Sequence, residues 1–251
     1  MINNISIVTP IAYDFLYSFK TISTYYRIAD EIILGIDSDR ISWSHKKYEF
    51  NEELFRDSIK KIDVENKIKI VQDNFHFNNA PAANDTYERN YLSTKCKEGS
   101  WILQIDSDEC LLNPDDFILW VQTVNPNYGF KAKWTTVFKS FDKYALVLSE
   151  KGIVQIGTKL KNSYTIMRNT AQPTLISPLN ILHYSWGRTD KEVWQKLTNW
   201  SHSQDFDIKK FYDVWKNLTL DNYKELRDFH PLYGPDWKEL QLVELENNIQ
   251  N

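Results

Sequence analysis

Glycine is scarce in this chain: 7 of 251 residues, none arranged as G-x-G-x-x-G or as a P-loop. A phosphate cradle made of glycine backbone is therefore excluded, and any phosphate charge has to be met by a metal ion or by side chains. Cysteine is scarcer still. Cys96 and Cys110 are the only two, and they form no CxxC pair. Nothing points to a disulfide framework, and a reducing compartment fits. No stretch approaches the ~20 apolar residues of a membrane span, so none is expected. The amino terminus runs directly into Ile5-Ser6-Ile7-Val8, without a basic region or an apolar run of leader length. A cytoplasmic location is the expectation. The net charge is −4 and no dense Lys/Arg stripe is present. Nucleic acid is not an expected partner.

What is present is an ordinary globular composition, 42% hydrophobic and 25% charged. The length suits a single domain over residues 1–251 with a substantial core. Aromatic residues are plentiful, with 9 Trp and 14 Tyr. Flat rings pack against sugars and also fill cores, and most are assigned to the core.

The first part alternates strands and amphipathic helices. Residues 4–9 read as a strand ended by Pro10. Residues 13–28 carry Phe15, Phe19, Ile22 and Tyr26 at helical spacing. Residues 31–36 are a second buried strand, 51–62 a second helix, 67–72 a third strand and 85–97 a third helix. A fourth strand follows and ends at Asp106. This β-α-β-α-β-α-β order predicts an α/β fold with a Rossmann-like, mostly parallel sheet flanked by helices. Right-handed crossovers would then bring the strand carboxyl ends to one edge. After Pro114 the pattern changes. A short helix is expected over 115–124, antiparallel strands over 129–157, and further strands over 164–168 and 176–184. The tail predicts C-terminal helices over 189–202, 206–218 and 236–249. The organisation expected is residues 1–112, 113–188 and a helical extension over 189–251.

One stretch stands out, Trp101-Ile-Leu-Gln-Ile-Asp106-Ser107-Asp108-Glu109-Cys110. It begins as a short apolar run and then places acids at 106, 108 and 109. Carboxylates at the carboxyl end of a strand in an open α/β sheet face the ligand crevice. Asp106 and Asp108 would share a face if the strand continued. Like charges that close repel unless a cation or a proton lies between them. Hard oxygen ligands suit Mg2+ or Mn2+. The blander alternative is a surface turn that caps the helix after Pro114. The second strand is also followed by Asp37-Ser38-Asp39.

Together these features resemble a GT-A fold glycosyltransferase of the family-2-like group. Ile5-Ser-Ile-Val-Thr9-Pro10 resembles the opening strand with its nucleotide-binding loop. Tyr87-Glu88-Arg89-Asn90, leading to Asp106-Ser-Asp108-Glu109, resembles the helix-then-DxD passage. His183-Tyr-Ser-Trp186 resembles the segment where a histidine completes the metal site. The match covers most of the first half and thins beyond Gly129, and Asp37-Ser-Asp39 replaces the family's Asp-Gly-Ser.

The resemblance implies a nucleotide-binding half over 1–112, an acceptor half over 113–188, a UDP- or GDP-sugar donor and a glycan acceptor. It implies that Asp108 ligates Mn2+ (or Mg2+) and that His183 completes the site. Asp106 would bind the ribose, or the metal through water. Asp37 would accept from the base, Arg89 would meet a phosphate or orient Asp106, and Thr9 and Pro10 would shape the loop under the nucleotide. For each of these a plain reading also exists: a strand-end turn for Asp37, a solvated helix charge for Arg89, a core histidine for His183. Asp142 and Glu150 are the candidate bases for the acceptor hydroxyl, with a solvated hairpin charge as the alternative for both. Trp134 and Trp186 are candidates for an acceptor pocket or for the core. The competing functions are a phosphatase of the haloacid dehalogenase kind, whose Asp-x-Asp belongs on the first strand, and a non-catalytic carbohydrate-binding protein.

Overall fold

The computed structural model describes residues 4–78, 80–200 and 202–245. The chain divides into two compact units, Met1–Lys133 with Ile153–Ile181, and Trp134–Gly152 with Leu182–Asn251.

The first unit is an α/β layer structure. Its strands are β1 (Ile5–Ile11), β2 (Glu31–Asp37), β3 (Ile68–Asp73) and β4 (Trp101–Gln104), with α1 (Phe15–Tyr25), α2 (Glu52–Ile62) and α3 (Pro81–Thr94) between them. β1 pairs in parallel with β2 on one side and β4 on the other, and β3 extends β2 in parallel. All residues of β1, β2 and β4 are buried, as parallel strands covered on both faces require. α3 lies on β1 and β2, and Val8, Ile33 and Ile102 pack with Leu92, Cys96 and Phe75 beneath it. The approach is close at Gly35. A Cβ there would stand 2.4 Å from Leu92 Cδ1 and 3.1 Å from Glu88 Oε1. α1 and α2 join through Phe15, Phe19 and Phe55, and Asn51 caps α2 by accepting the Leu54 N–H.

Boundaries differ from the sequence expectation at β1 and at α3, among others. β1 does not end at Pro10 but continues to Ile11, with Pro10 opposite Gly35. Val8 faces β4, its carbonyl accepting from Ile105. Pro10, two residues on, faces the same side, past the last registered pair Val8↔Gln104. Its missing N–H therefore removes no ladder bond. α3 starts at Pro81 rather than near residue 85, because proline fits the first helical turn.

The unit is completed by β5 (Glu109–Leu111), α4 (Pro114–Val121), the start of β6 (Gly129–Ser140), most of β8 (Gly152–Thr158), the small hairpin β9 (Tyr164–Ile166) with β10 (Asn169–Thr170), and most of β11 (Thr174–His183). β8 pairs antiparallel with β4, and β5 pairs with β11.

The second unit holds the rest of β6, β7 (Tyr144–Leu148), α5 (Asp190–Asn199), α6 (Ile208–Asn217) and β12 (Leu240–Glu244). β7 lies antiparallel between β6 and β12. Its core is aromatic: Phe138, Trp186, Phe211, Trp215 and Tyr223 are buried with Leu146, Leu148, Val193, Leu197, Leu218 and Leu240. Trp186 is thus a core residue. α5 and α6 match the expected helices over 189–202 and 206–218. The helix expected over 236–249 is corrected. A 3-10 turn covers Gly234–Asp236, and Leu240–Glu244 is a strand on the β7 edge. Leu-Gln-Leu-Val-Glu has strand alternation as well as helix formers, and pairing with β7 decides between them. Residues 246–251 lie outside the described residues, and with them the end of that expected helix.

Among the described residues no helix is long and apolar enough to cross a membrane.

Candidate functional site

The carboxyl edge of the parallel sheet gathers acids as expected. Asp37 ends β2 and stands in register with Asp73 at the end of β3. β4, however, stops at Gln104, so Asp106 and Asp108 lie in a turn and not on one face of a strand. The turn is closed twice. Glu109 N–H donates to the Asp106 carbonyl at 3.0 Å, and Asp106 N–H donates to Glu109 Oε2 at 2.9 Å. α1 holds it from below, with Thr21 Oγ1 donating to the Ser107 carbonyl at 2.9 Å. Ser107 Oγ donates to Asp14 Oδ1 at 2.9 Å.

Asp106 sits between two guanidiniums. Arg89 Nη2 reaches its Oδ1 at 2.8 Å and Arg168 Nη2 its Oδ2 at 3.3 Å. Burial raises the pKa of this carboxyl and the nearby Asp108 adds to that, but Arg168 and Arg89 outweigh both and hold it below the ordinary value. Arg89 also pairs with Asp85 one helical turn back on α3. Burial lowers the pKa of Arg89, and Asp106 and Asp85 more than reverse this. The solvated-helix alternative for Arg89 is therefore not what the fold contains: its side chain is 2% exposed. Asp85 is shifted upward, chiefly by burial.

Asp37 has the geometry of a turn organiser. Its Oδ1 accepts from Asp39 N–H and Ile41 N–H at 3.1 Å each, and its Oδ2 accepts from Phe75 N–H at 2.9 Å. Beside it, Glu88 Oε2 accepts from Trp43 Nε1 at 2.9 Å and bonds His76 Nε2 at 3.0 Å. The other nitrogen, His76 Nδ1, bonds the Ile41 carbonyl. Both ring nitrogens face oxygen acceptors, an arrangement that favours the doubly protonated ring. Burial works against that charge; the bond to Glu88, its charge and that of Asp37 overcome it and raise the pKa above 6.5. Tyr48 Oη, buried near Glu88 and Asp37, has no hydrogen-bond partner among the described residues.

The remaining candidates are placed as follows. Thr9 Oγ1 is buried against Tyr25 Oη at 3.0 Å, so its hydroxyl serves the β1–α1 contact. Pro10 is buried within β1. Asp142, Glu150 and His183 belong to the second unit. Asp142 is exposed in the β6–β7 turn. Glu150 accepts from Ser149 Oγ at 2.8 Å. His183 stacks on Trp134, ring centroids 4.5 Å apart. Among the described residues no group of three or more His, Cys, Asp and Glu side chains is placed to hold a metal ion.

Several members of the site escape sequence reasoning. Arg168 stands alone in Ile-Met-Arg-Asn-Thr, with nothing local to mark it. His76, Trp43 and Tyr48 come from loops without periodicity. The Asp85–Arg89 pair has a signal in its four-residue spacing, and Glu88 lies within the passage that carries the resemblance.

No family model matches the chain, and no curated protein sequence matches it. Among solved structures the chain is similar to the crystal structure of mannose-1-phosphate geranyltransferase from Thermus thermophilus. The TM-score is 0.30 and the identity 7%, over 88% of this chain and 67% of that one. A likeness at that level carries no argument about activity.

Proposed function

We propose that this chain is a metal-dependent glycosyltransferase, of GT-A type, that moves a sugar from a UDP- or GDP-sugar to a glycan or other hydroxyl acceptor. One observation carries the reading. The Asp106-Ser107-Asp108 turn is held in place at the carboxyl edge of a parallel sheet, where open α/β folds bind ligands. The Asp37 turn and Tyr48 Oη, which has no hydrogen-bond partner among the described residues, support it at the same edge.

Asp108 would offer a hard carboxylate oxygen to a dication, while the described residues bring no cluster of three such side chains to it. The negative charge of Asp108 acts on Asp106, whose own charge is met by Arg89 and Arg168, and a hard dication would suit the Asp108 oxygens. In this reading Asp108 is the direct ligand, and Asp106, which accepts from two guanidiniums, is the acceptor for a ligand hydroxyl. A bound Mn2+ or Mg2+ would neutralise charge on the leaving diphosphate. The protein's own part is to keep Asp106 ionised and oriented, and to keep the turn rigid.

The test is a panel of UDP- and GDP-sugars incubated with the protein, with release of the nucleoside diphosphate followed with and without manganese. Manganese-dependent release from one donor, lost in Asp108→Ala, is expected. Absence of release from every donor, with an added glycan acceptor present, counts against the reading.

A further inference from the structure

Arg168 is 9% exposed at its side chain and reaches the Asp106 turn by two routes. It grips Glu109 with a two-pronged fork, Nη1 to Oε2 at 2.9 Å and Nη2 to Oε1 at 2.7 Å. Glu109, fully buried, is the residue whose carboxylate closes on the Asp106 amide. Arg168 Nη2 also bonds Asp106 Oδ2 directly, and Nη1 bonds the Gln104 carbonyl at 3.3 Å, at the last residue of β4. One guanidinium therefore ties the end of the strand, the backbone of the turn and the carboxylate that faces out of it. Of this group only Asp106 shows substantial side-chain surface, 25%, against 9% for Arg168, 2% for Arg89 and 0% for Glu109.

The device that presents Arg168 is itself strained. Met167, at the β9–β10 turn, takes φ of 51°, in the left-handed region that a methionine disfavours. The hairpin is fastened to α3, where Met167 N–H donates to Thr86 Oγ1 at 2.7 Å and Asn90 bonds both the N–H and the carbonyl of Tyr164. α3 also carries Arg89. Both arginines on Asp106 are thus set by one helix, although 79 positions separate them in the chain. Strain held in place by surrounding bonds, at a residue adjoining a site, is a reason to look for a role there.

We propose that Arg168 is a positioning residue for ligand binding, acting through Asp106 and the Asp106–Glu109 turn. This rests on the transferase reading above. In this role Arg168 acts through Asp106 and not on the ligand itself. It fixes the orientation of the carboxylate that does, and a fork of this geometry is something lysine cannot reproduce.

The experiment is calorimetric titration of UDP and of GDP, each with manganese, into wild type, Arg168→Met, Arg168→Lys, Asp106→Asn and the two double variants. Circular dichroism and thermal midpoints accompany each to establish folding. Arg168→Met should weaken binding about tenfold, the usual cost of removing a residue that orients a ligand-binding group. Arg168→Lys should recover part of the loss. In the Asp106→Asn background the same changes at 168 should have little further effect, because neighbours in one network are non-additive. A merely structural role would give the same fold-loss in both backgrounds, and that result overturns the assignment. If Arg168→Met does not fold, the Arg168→Lys pair decides by the same comparison. If wild type binds neither nucleotide, the transferase reading falls and this inference with it. If wild type binds and the losses are equal, only the role of Arg168 falls.

Discussion

Arg89 and Arg27 illustrate how differently the same ion pair counts in two settings. Arg27–Asp115 joins side chains 61% and 67% exposed, whereas Arg89–Asp85 joins side chains 2% and 7% exposed. Removing one partner of a buried pair strands the other charge and costs about 3–5 kcal/mol. Arg89→Ala strands Asp85 and removes one of the two guanidiniums on Asp106. We predict a loss of that size from urea unfolding, while Arg27→Ala leaves the midpoint essentially unchanged. Equal effects would contradict the burial argument. His76 gives a pH prediction with a definite sign. Its folded pKa is raised above 6.5, against the cost of burial, by Glu88 and Asp37. The stability it contributes is fully present below the unfolded value and fades as pH rises through the folded value. Wild type should therefore lose stability as pH climbs above 6.5, and His76→Phe should flatten that part of the profile. Overlapping slopes for the two proteins would remove the imidazolium from the account. Glu88 and Trp43 share that network, so the loop that bears Trp43 is the segment expected to loosen first.

The α3 helix is the element on which the site depends. It carries Asp85, Glu88 and Arg89 on its buried side, and its seat on β2 is a glycine. Gly35→Ala would push a methyl into Leu92 and crowd Glu88. Overpacking of a filled core costs about 1–3 kcal/mol. We predict a loss in that range, and less than additive loss when Leu92→Val is combined with it, since the two changes share one contact. Additive losses would mean that the helix does not seat at Gly35. Much at this scale is legible in the sequence. The β-α-β alternation, the buried strands and the Asn51 start of α2 follow from spacing and capping residues. The tail misleads because residues 236–249 combine leucine and glutamate, which suit a helix, while the free edge of β7 supplies ladder bonds that spacing does not register. The turn after β4 misleads for a related reason: the closure of Glu109 on Asp106 depends on a side chain reaching back three residues, and a two-residue period takes no account of it.

At the scale of the whole molecule the legible part of the site is its acids and the illegible part is what surrounds them. Asp106, Asp108 and Asp37 announce themselves by following apolar strands. Arg168 does not, because its partners lie about 60 positions earlier and only folding joins them. The same holds for His76 and Tyr48, which are brought to the sheet edge by loops. The account rests on these groups forming a place for a nucleotide and a divalent cation. The most direct test is calorimetry of the purified protein with UDP and with GDP, each with and without manganese, repeated on Asp108→Ala. The account predicts binding of one nucleotide that requires manganese and disappears in Asp108→Ala. Binding of neither nucleotide under any condition, or binding that Asp108→Ala leaves intact, would contradict it.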